Sequence, residues 1–437
     1  MLENYSKPVQ TALKKVKINV GDKISIKNGN ELYEGLLMPR TELGDKDSIV
    51  VKLSSGYNIG VKYDKNMKIT KLASKQDSKI ELEKPKFDPK KPNVTIISTG
   101  GTIASKVEYK TGGVKAIENP QELLFNVPEL KEIANIKFVK VLQKMSEDMD
   151  SIDWQDIAKA VVKELTLGNA VVITHGTDTM HYTAAALSFM LKDLHKPVII
   201  TGSQRSPDRG SSDAGMNLIC AVHAALSDIG EVGVVMHGST DDDYCNFNRG
   251  TRVRKMHSSR RDTFRTLGDT PIAQIYPDGK INILSSYRKK KDIKVSADTK
   301  FENKITLVKV YPGSDPDILN YYLKKGYKGI VIEGTGFGYV PTHARKSWIP
   351  TVKKISKKIP IVIVTQTLFG RVNSNVYEPL RILYHQTDAI NGNDMLPEVA
   401  LVKLGHILGH TKKLKEIKKL MTKNLVGEIS ERSTISD

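Results

Sequence analysis

The sequence predicts an α/β protein. A small N-terminal β-barrel precedes a two-domain α/β body, with a mainly parallel sheet in the larger domain. Three observations carry this reading. Residues 17–72 contain only short β-branched runs between turn signals. Residues 82–92 are rich in proline and lysine, the composition of an exposed, semi-rigid linker. Beyond Val94, runs that are apolar along their whole length alternate with helical stretches, as in a parallel sheet covered on both faces. A chain of 437 residues also exceeds one ordinary domain.

Taken in order, five strands are expected near 23–27, 32–38, 48–53, 57–62 and 67–71, with Asn28-Gly29 and Gly56 as turn signals. They make residues 1–81 a barrel adaptor and 82–92 a linker. The larger domain, 93–290, opens with the buried strands VTIIST (94–99), NAVVITHG (169–176), KPVIITGS (196–203) and VGVVMHG (232–238). Between the first two lies the helix SIDWQDIAKAVVKELTLG, with Ile152, Ile157, Val161, Val162 and Leu165 on one face, Ser151 as cap and Gly168 as stop. After a basic hinge near 288–303, the strands KITLVKV, KGIVIEG and IPIVIVTQ and a helix-rich tail form a smaller α/β domain, 303–437.

Composition narrows the function. No run approaches the twenty apolar residues of a membrane span, and the N-terminus lacks an apolar signal core, so a cytoplasmic protein is expected. Cys220 and Cys245 give neither a disulfide framework nor metal-ligand spacing; Cys220 reads as a small core residue. A net charge of +18 suits a polyanionic partner such as tRNA, yet a Lys- and Glu-rich composition is also a habit of hyperthermophile proteins. The lysine bursts at 286–294, 352–358 and 410–423 read first as solvated helix faces.

Three stretches at strand ends could carry chemistry, because ligands of open parallel sheets bind beyond the carboxyl ends of the strands. Gly100-Gly101-Thr102 brings backbone N–H groups and a hydroxyl together, but has neither the Gly-Lys-Ser/Thr of a P-loop nor the third glycine of a dinucleotide fingerprint. ITHGTDTM (173–180) sets Thr177 beside Asp178, where a carboxylate could equally cap the next helix. His175 in the same run reads as a backbone-bonding histidine. NRGTRVRKMHSSR (248–260) contains Lys255, an amine that could take a hydroxyl proton when neutral; on an extended segment Arg254 would point the other way. His406 and His410 have helical i, i+4 spacing but lack a zinc protease's glutamate and read as part of a solvated helix, so no metal is expected.

Together these stretches resemble the type I asparaginase/glutaminase family over residues 93–430, through TGGTIAS, THGTDTM, TGSQRSPDRGSSDAGMNL and the lysine segment. The resemblance implies Thr102 as the nucleophile on a side-chain amide, with Thr177, Asp178 and Lys255 as the second catalytic group. It also implies that Ser146 and Glu147 of MSEDM, with Gly101 and Asp178, hold the substrate, and that Tyr109 of VEYKTGGV lies on a mobile loop over the nucleophile. An unactivated threonine hydroxyl is a poor nucleophile, so a base and an oxyanion hole are both required.

Two features depart from stand-alone members. A barrel precedes the amidohydrolase part, and the turn EGTGFGYVP carries Phe337 where stand-alone members often have an asparagine. The barrel, the linker, YTAAALSFML and YPGSDPDIL resemble the archaeal glutamyl-tRNA(Gln) amidotransferase D-subunit family over essentially the whole chain. That resemblance implies glutamine hydrolysis to supply ammonia to an E subunit, which uses ATP and Mg2+ to convert Glu-tRNA(Gln) to Gln-tRNA(Gln). No cofactor is implied in this chain, and a homodimer within a heterotetramer is implied. The alternatives are a free-standing L-asparaginase, separable by substrate preference and partner dependence, and a nucleic-acid-binding scaffold that has lost catalysis. Retention of Thr102, Thr177, Asp178 and Lys255 together argues against the scaffold.

Overall fold

The computed structural model describes residues 2–40, 45–53, 58–74, 87–101, 103, 105–107, 114–116, 127, 129–206 and 212–433. The N-terminal unit begins with helix α1 (Lys7–Lys15), which the sequence reading did not anticipate. Strands β1 (Lys23–Asn28), β2 (Glu31–Leu37), β3 (Ser48–Leu53), β4 (Asn58–Lys62) and β5 (Lys68–Ala73) follow. All pair antiparallel, in the order β4-β3-β2-β1-β5. Strands β1 to β4 follow one another as a meander and β5 pairs beside β1; among the described residues no ladder joins β4 to β5. Val9 and Leu13 of α1 pack with Ile24, Ile26, Ile49 and Val51, so a helix covers apolar residues of the sheet.

The larger α/β domain is built on β6 (Asn93–Gly100), β7 (Asn135–Lys144), β8 (Ala170–Thr174), β9 (Val198–Thr201), β10 (Val232–His237) and β11 (Cys245–Arg249). A separate ribbon, β12 (Val253–Lys255) with β13 (Phe264–Thr266), follows, and β14 (Ala273–Ile275) and β15 (Ile281–Ile283) complete the main sheet. The sheet order is β15-β14-β11-β10-β9-β8-β6-β7. The stretch from β7 to β10 is parallel throughout, while β11, β14 and β15 run antiparallel to their neighbours. The sheet is therefore mixed. The connection of residues 238–244 between β10 and β11 is too short for the crossover that a parallel pair requires.

Both faces of the parallel part are covered, which explains its uninterrupted apolar strands. Ile96, Val172 and Ile199 pack towards helix α4 (Ala214–Ala225), while Ile97, Ile173 and Ile200 pack towards α2 (Ser151–Thr166) and α3 (Met180–Met190). In α2, Ile157, Val161 and Leu165 are buried as anticipated, but Ile152 is 57% exposed. The cap is Asp150 rather than Ser151: its carboxylate accepts from Ile152 N and Asp153 N, and Asp153 returns the bond in a capping box. Ser151 lies inside the first turn, where its hydroxyl meets Asn303.

The smaller domain has four parallel strands in chain order: β16 (Ile305–Lys309), β17 (Gly329–Gly334), β18 (Ile361–Thr365) and β19 (Ile390–Asn391). Helices α5 (Asp317–Lys324), α6 (Ile349–Ser356) and α7 (Glu378–Gln386) contribute to the core on one face, and α8 (Pro397–Leu408) and α9 (Leu414–Met421) to that on the other. Helix α8 joins the domains. Ala400 and Leu404 face its own sheet, while Val399 and Val402 pack against Ala185, Ala186 and Phe189 of α3.

Candidate active site

Four neighbouring strands deliver their carboxyl ends to one place. Gly100-Gly101 ends β6, Ser146 follows β7, Gly176-Thr177-Asp178 follows β8, and Gly202 follows β9. Register explains the meeting: Ser98 is opposite Thr174, and Gly100 is opposite Lys144.

The turns are packed backbone to backbone. Gly101 has φ +79°, and a Cβ there would stand 2.4 Å from Gly176 N, so glycine is required on both conformational and steric grounds. A Cβ on Gly176 would stand 2.8 Å from Ser146 Cβ. The glycines that precede Thr102 and Thr177 are thus in contact with each other, and the second also touches Ser146. Thr102 and Tyr109 themselves lie outside the described residues.

Ser146 is buried, and its Oγ has no hydrogen-bond partner among the described residues, leaving a hydroxyl for a ligand. Its backbone is held from the side by Thr179 Oγ1, which donates to Ser146 O at 2.6 Å. Lys144 anchors the same turn through its Nζ, 2.7 Å from Asp153 Oδ1 at the start of α2. Glu147 is exposed to solvent.

Lys255 reaches the site on the β12–β13 ribbon. Its Nζ donates to Thr177 Oγ1 at 2.9 Å and to Asp178 Oδ1 at 2.7 Å. Its side chain is only 10% exposed, whereas Asp178 is 66% exposed, so the pair presents a carboxylate to solvent over a largely covered amine. Arg254 projects from the other face of β12 towards Glu398 on α8, at 3.5 Å. Glu398 is buried, which pushes its carboxyl up, and His181 of α3 lies 3.9 Å from its other oxygen. Upstream on the same segment, Arg252 is buried, with NH1 3.0 Å from Asp394 Oδ2 and Nε donating to Gly427 O.

His175 serves the frame. Its Nδ1 donates to Gly176 O at 2.6 Å and its Nε2 accepts from Thr183 Oγ1 at 2.8 Å, while burial pushes its pKa down to about 4. The next turn is held by Asp213, which accepts from Gln204 N and Arg205 N, and by Asn217, which donates to Gly202 O. The residues that sequence reasoning missed are Thr179, Arg252, Glu398 and His181. Thr179 and Arg252 stand inside motifs already singled out, but nothing local links Glu398 to Lys255, because α8 meets β12 only through the fold.

The site therefore combines close-packed backbone turns, a buried hydroxyl without a partner among the described residues, and a hydroxyl–amine–carboxylate cluster able to hold and move protons. Phe337 lies 41% exposed beyond β17, stacked on Tyr377 at 6.3 Å between ring centroids.

Comparison with known proteins finds relatives along most of the chain. Residues 93–288 match the family described as asparaginase, N-terminal, and residues 304–421 match the glutaminase/asparaginase C-terminal domain. Residues 18–72 match the GatD N-terminal domain. Among curated relatives, the D subunit of glutamyl-tRNA(Gln) amidotransferase from Pyrococcus furiosus is 49% identical over 432 residues, covering 97% of each chain. The Methanopyrus kandleri protein of the same name is 44% identical, covering 98% of this chain and 95% of its own. Among solved structures, the thermostable L-asparaginase from Thermococcus kodakarensis is 31% identical with a TM-score of 0.71; the match covers 78% of this chain and all of the asparaginase. L-asparaginase I from Vibrio cholerae gives 29% identity and a TM-score of 0.67, over 78% of this chain and 99% of that one.

Proposed function

The chain belongs to the D-subunit family of glutamyl-tRNA(Gln) amidotransferases, and from that premise we propose that it is the glutaminase of a tRNA-dependent amidotransferase. The observation that carries this reading is the contact of Lys255 Nζ with Thr177 and Asp178, residues 78 and 77 positions away in sequence. It supplies a proton-handling group on the turn after β8, whose Gly176 packs against Gly101.

In this reading the substrate is free glutamine. Ser146 Oγ and the Asp178 carboxylate, together with Glu147, hold the α-amino and α-carboxylate groups, and backbone N–H groups near Gly101 receive the developing oxyanion. Thr102 Oγ bonds to the side-chain amide carbon, the C–N bond breaks, and ammonia leaves carrying the hydroxyl proton. Water then cleaves the ester, returning Thr102 and releasing glutamate. The Thr177–Lys255 pair relays protons, and Tyr109 covers the nucleophile. The hydrolysis uses no cofactor in this chain. Ammonia passes to an E subunit, which activates the γ-carboxylate of Glu-tRNA(Gln) with ATP and Mg2+. The working assembly is a homodimer of this chain within a heterotetramer.

A free-standing L-asparaginase is the second reading, supported by the likeness to two solved L-asparaginases over 78% of the chain. The remaining N-terminal part, matched at 18–72 to the GatD N-terminal domain, favours the first. Ammonia release separates them. Glutamine-specific release that appears only with the E subunit and Glu-tRNA(Gln) supports the amidotransferase reading; vigorous asparagine hydrolysis by the chain alone overturns it.

A further inference from the structure

The hydrolytic reading leaves His406 and His410 unused. His406 does not lie on the solvated helix face expected from sequence, whereas His410, just past the end of α8, is exposed. His406 is 4% exposed on α8, and His410 follows one turn later, with ring centroids 4.8 Å apart. Asp298 comes from the connection between the two α/β domains. It follows the short strand Ser296–Ala297, which pairs with Leu191–Lys192 at the end of α3. One ligand-type atom from each of Asp298, His406 and His410 lies within 4.8 Å of the others.

Three further observations point to a cation. First, one already sits there: Lys192 Nζ is 3.2 Å from His406 Nε2 and 3.6 Å from Asp298 Oδ2. Second, the His410 ring is oriented from behind. His410 Nδ1 donates to His406 O at 2.8 Å, which turns its Nε2 to Asp298 at 2.8 Å. A backbone carbonyl on the remote nitrogen is the outer bond that metal-ligating histidines usually make. Third, His406 is stacked on Phe189 at 6.1 Å between centroids, with its Nε2 at the Lys192 ammonium.

We propose that Asp298, His406 and His410 form a divalent transition-metal site that ties the inter-domain connection to α8. Two imidazoles and one carboxylate, with water in the fourth position, suit Zn2+. The ion displaces the Lys192 ammonium, whose side chain is 47% exposed on a flexible stem and can turn to solvent. The ligand atoms must draw in to about 3.3 Å from one another, the spacing that metal–ligand bonds of 2.0–2.1 Å impose on a tetrahedral ion. The site is independent of the glutaminase chemistry.

The test is titration of the untagged, chelator-treated full-length chain with Co2+, read by visible ligand-field absorption, then displacement by Zn2+. One equivalent should bind, and Lys192→Ala should tighten it by about tenfold as the competing cation is removed. His410→Ala and Asp298→Asn should abolish the signal while far-UV circular dichroism stays unchanged; both positions are partly exposed, so the fold tolerates them. Zn2+ should also raise the Tm of the parent chain and not of His410→Ala. Absence of stoichiometric binding at millimolar Co2+ in both the parent and Lys192→Ala overturns the proposal. So does binding that survives His410→Ala and Asp298→Asn.

Discussion

An alanine at Gly176 would set its Cβ 2.8 Å from Ser146 Cβ and 2.9 Å from Ser146 Oγ. Since Ser146 is buried and its turn is held by Thr179, the serine hydroxyl must move. Gly176→Ala should therefore raise the KM for glutamine more than tenfold in the assembled enzyme with a smaller change in kcat, measured by steady-state ammonia release; an unchanged KM would remove Ser146 from the substrate site. Another single-residue effect concerns stability. Lys403 and Glu428 form a fully buried ion pair at 2.6 Å, and Lys403 Nζ also donates to Met421 O and Lys423 O. Lys403→Met leaves the Glu428 charge uncompensated and should cost about 3–5 kcal/mol in urea unfolding. The double variant with Glu428→Gln should recover part of that loss.

At the scale of elements, the segment that leads to Lys255 is gripped along its path. Thr251 donates to Val426 O, Arg252 binds Asp394 and Gly427 O, and Arg254 reaches Glu398. The C-terminal stretch after α9 is thus a clamp on β12. Arg252→Met should lower kcat by about tenfold or more through a misplaced amine, since small displacements of a positioned group are costly. Lys255→Met should remove ammonia release altogether while amidation from added ammonium persists in the complex. Thr102→Ala should give the same pattern, and loss of both activities in either variant would mark a structural role instead.

At the scale of the whole molecule, acid should unfold the protein through its buried histidines. His175 is pushed down to about 4 by burial, so the folded chain refuses a proton that the unfolded chain accepts. A histidine with a depressed pKa retains its full stability above pH 6.5 and loses it as pH falls towards 4. For His175 alone, going from pH 7 to pH 4 should cost about 3 kcal/mol. His181, pushed down to about 3, and His406, to about 4, act in the same sense, chiefly through burial. Urea midpoints at pH 7, 5.5 and 4.5 would show the steepening; a flat profile would contradict it. Deleting residues 1–84 should leave the α/β body folded, because α1 and the meander have their own core, but should weaken coupling to the E subunit. Normal coupling by the truncated chain would assign the meander another task.

The local signals in the sequence determined the buried strands, the split into two α/β domains and the stretches that converge at strand ends. They could do so because apolar runs, prolines and glycine turns act over a few residues. The same locality misled at particular points. Ser151 looked like a cap until Asp150 and Asp153 formed the box, and the five short strands gave no sign of the helix α1 that packs on them. Only the tertiary structure decided that β11, β14 and β15 run antiparallel, that α8 is buried against α3, and that His406 meets Asp298. The meeting of Lys255 with Thr177 and Asp178 belongs to the same class. Such contacts join residues far apart in the chain, and which of them form depends on sheet order and domain packing rather than on any neighbouring residue.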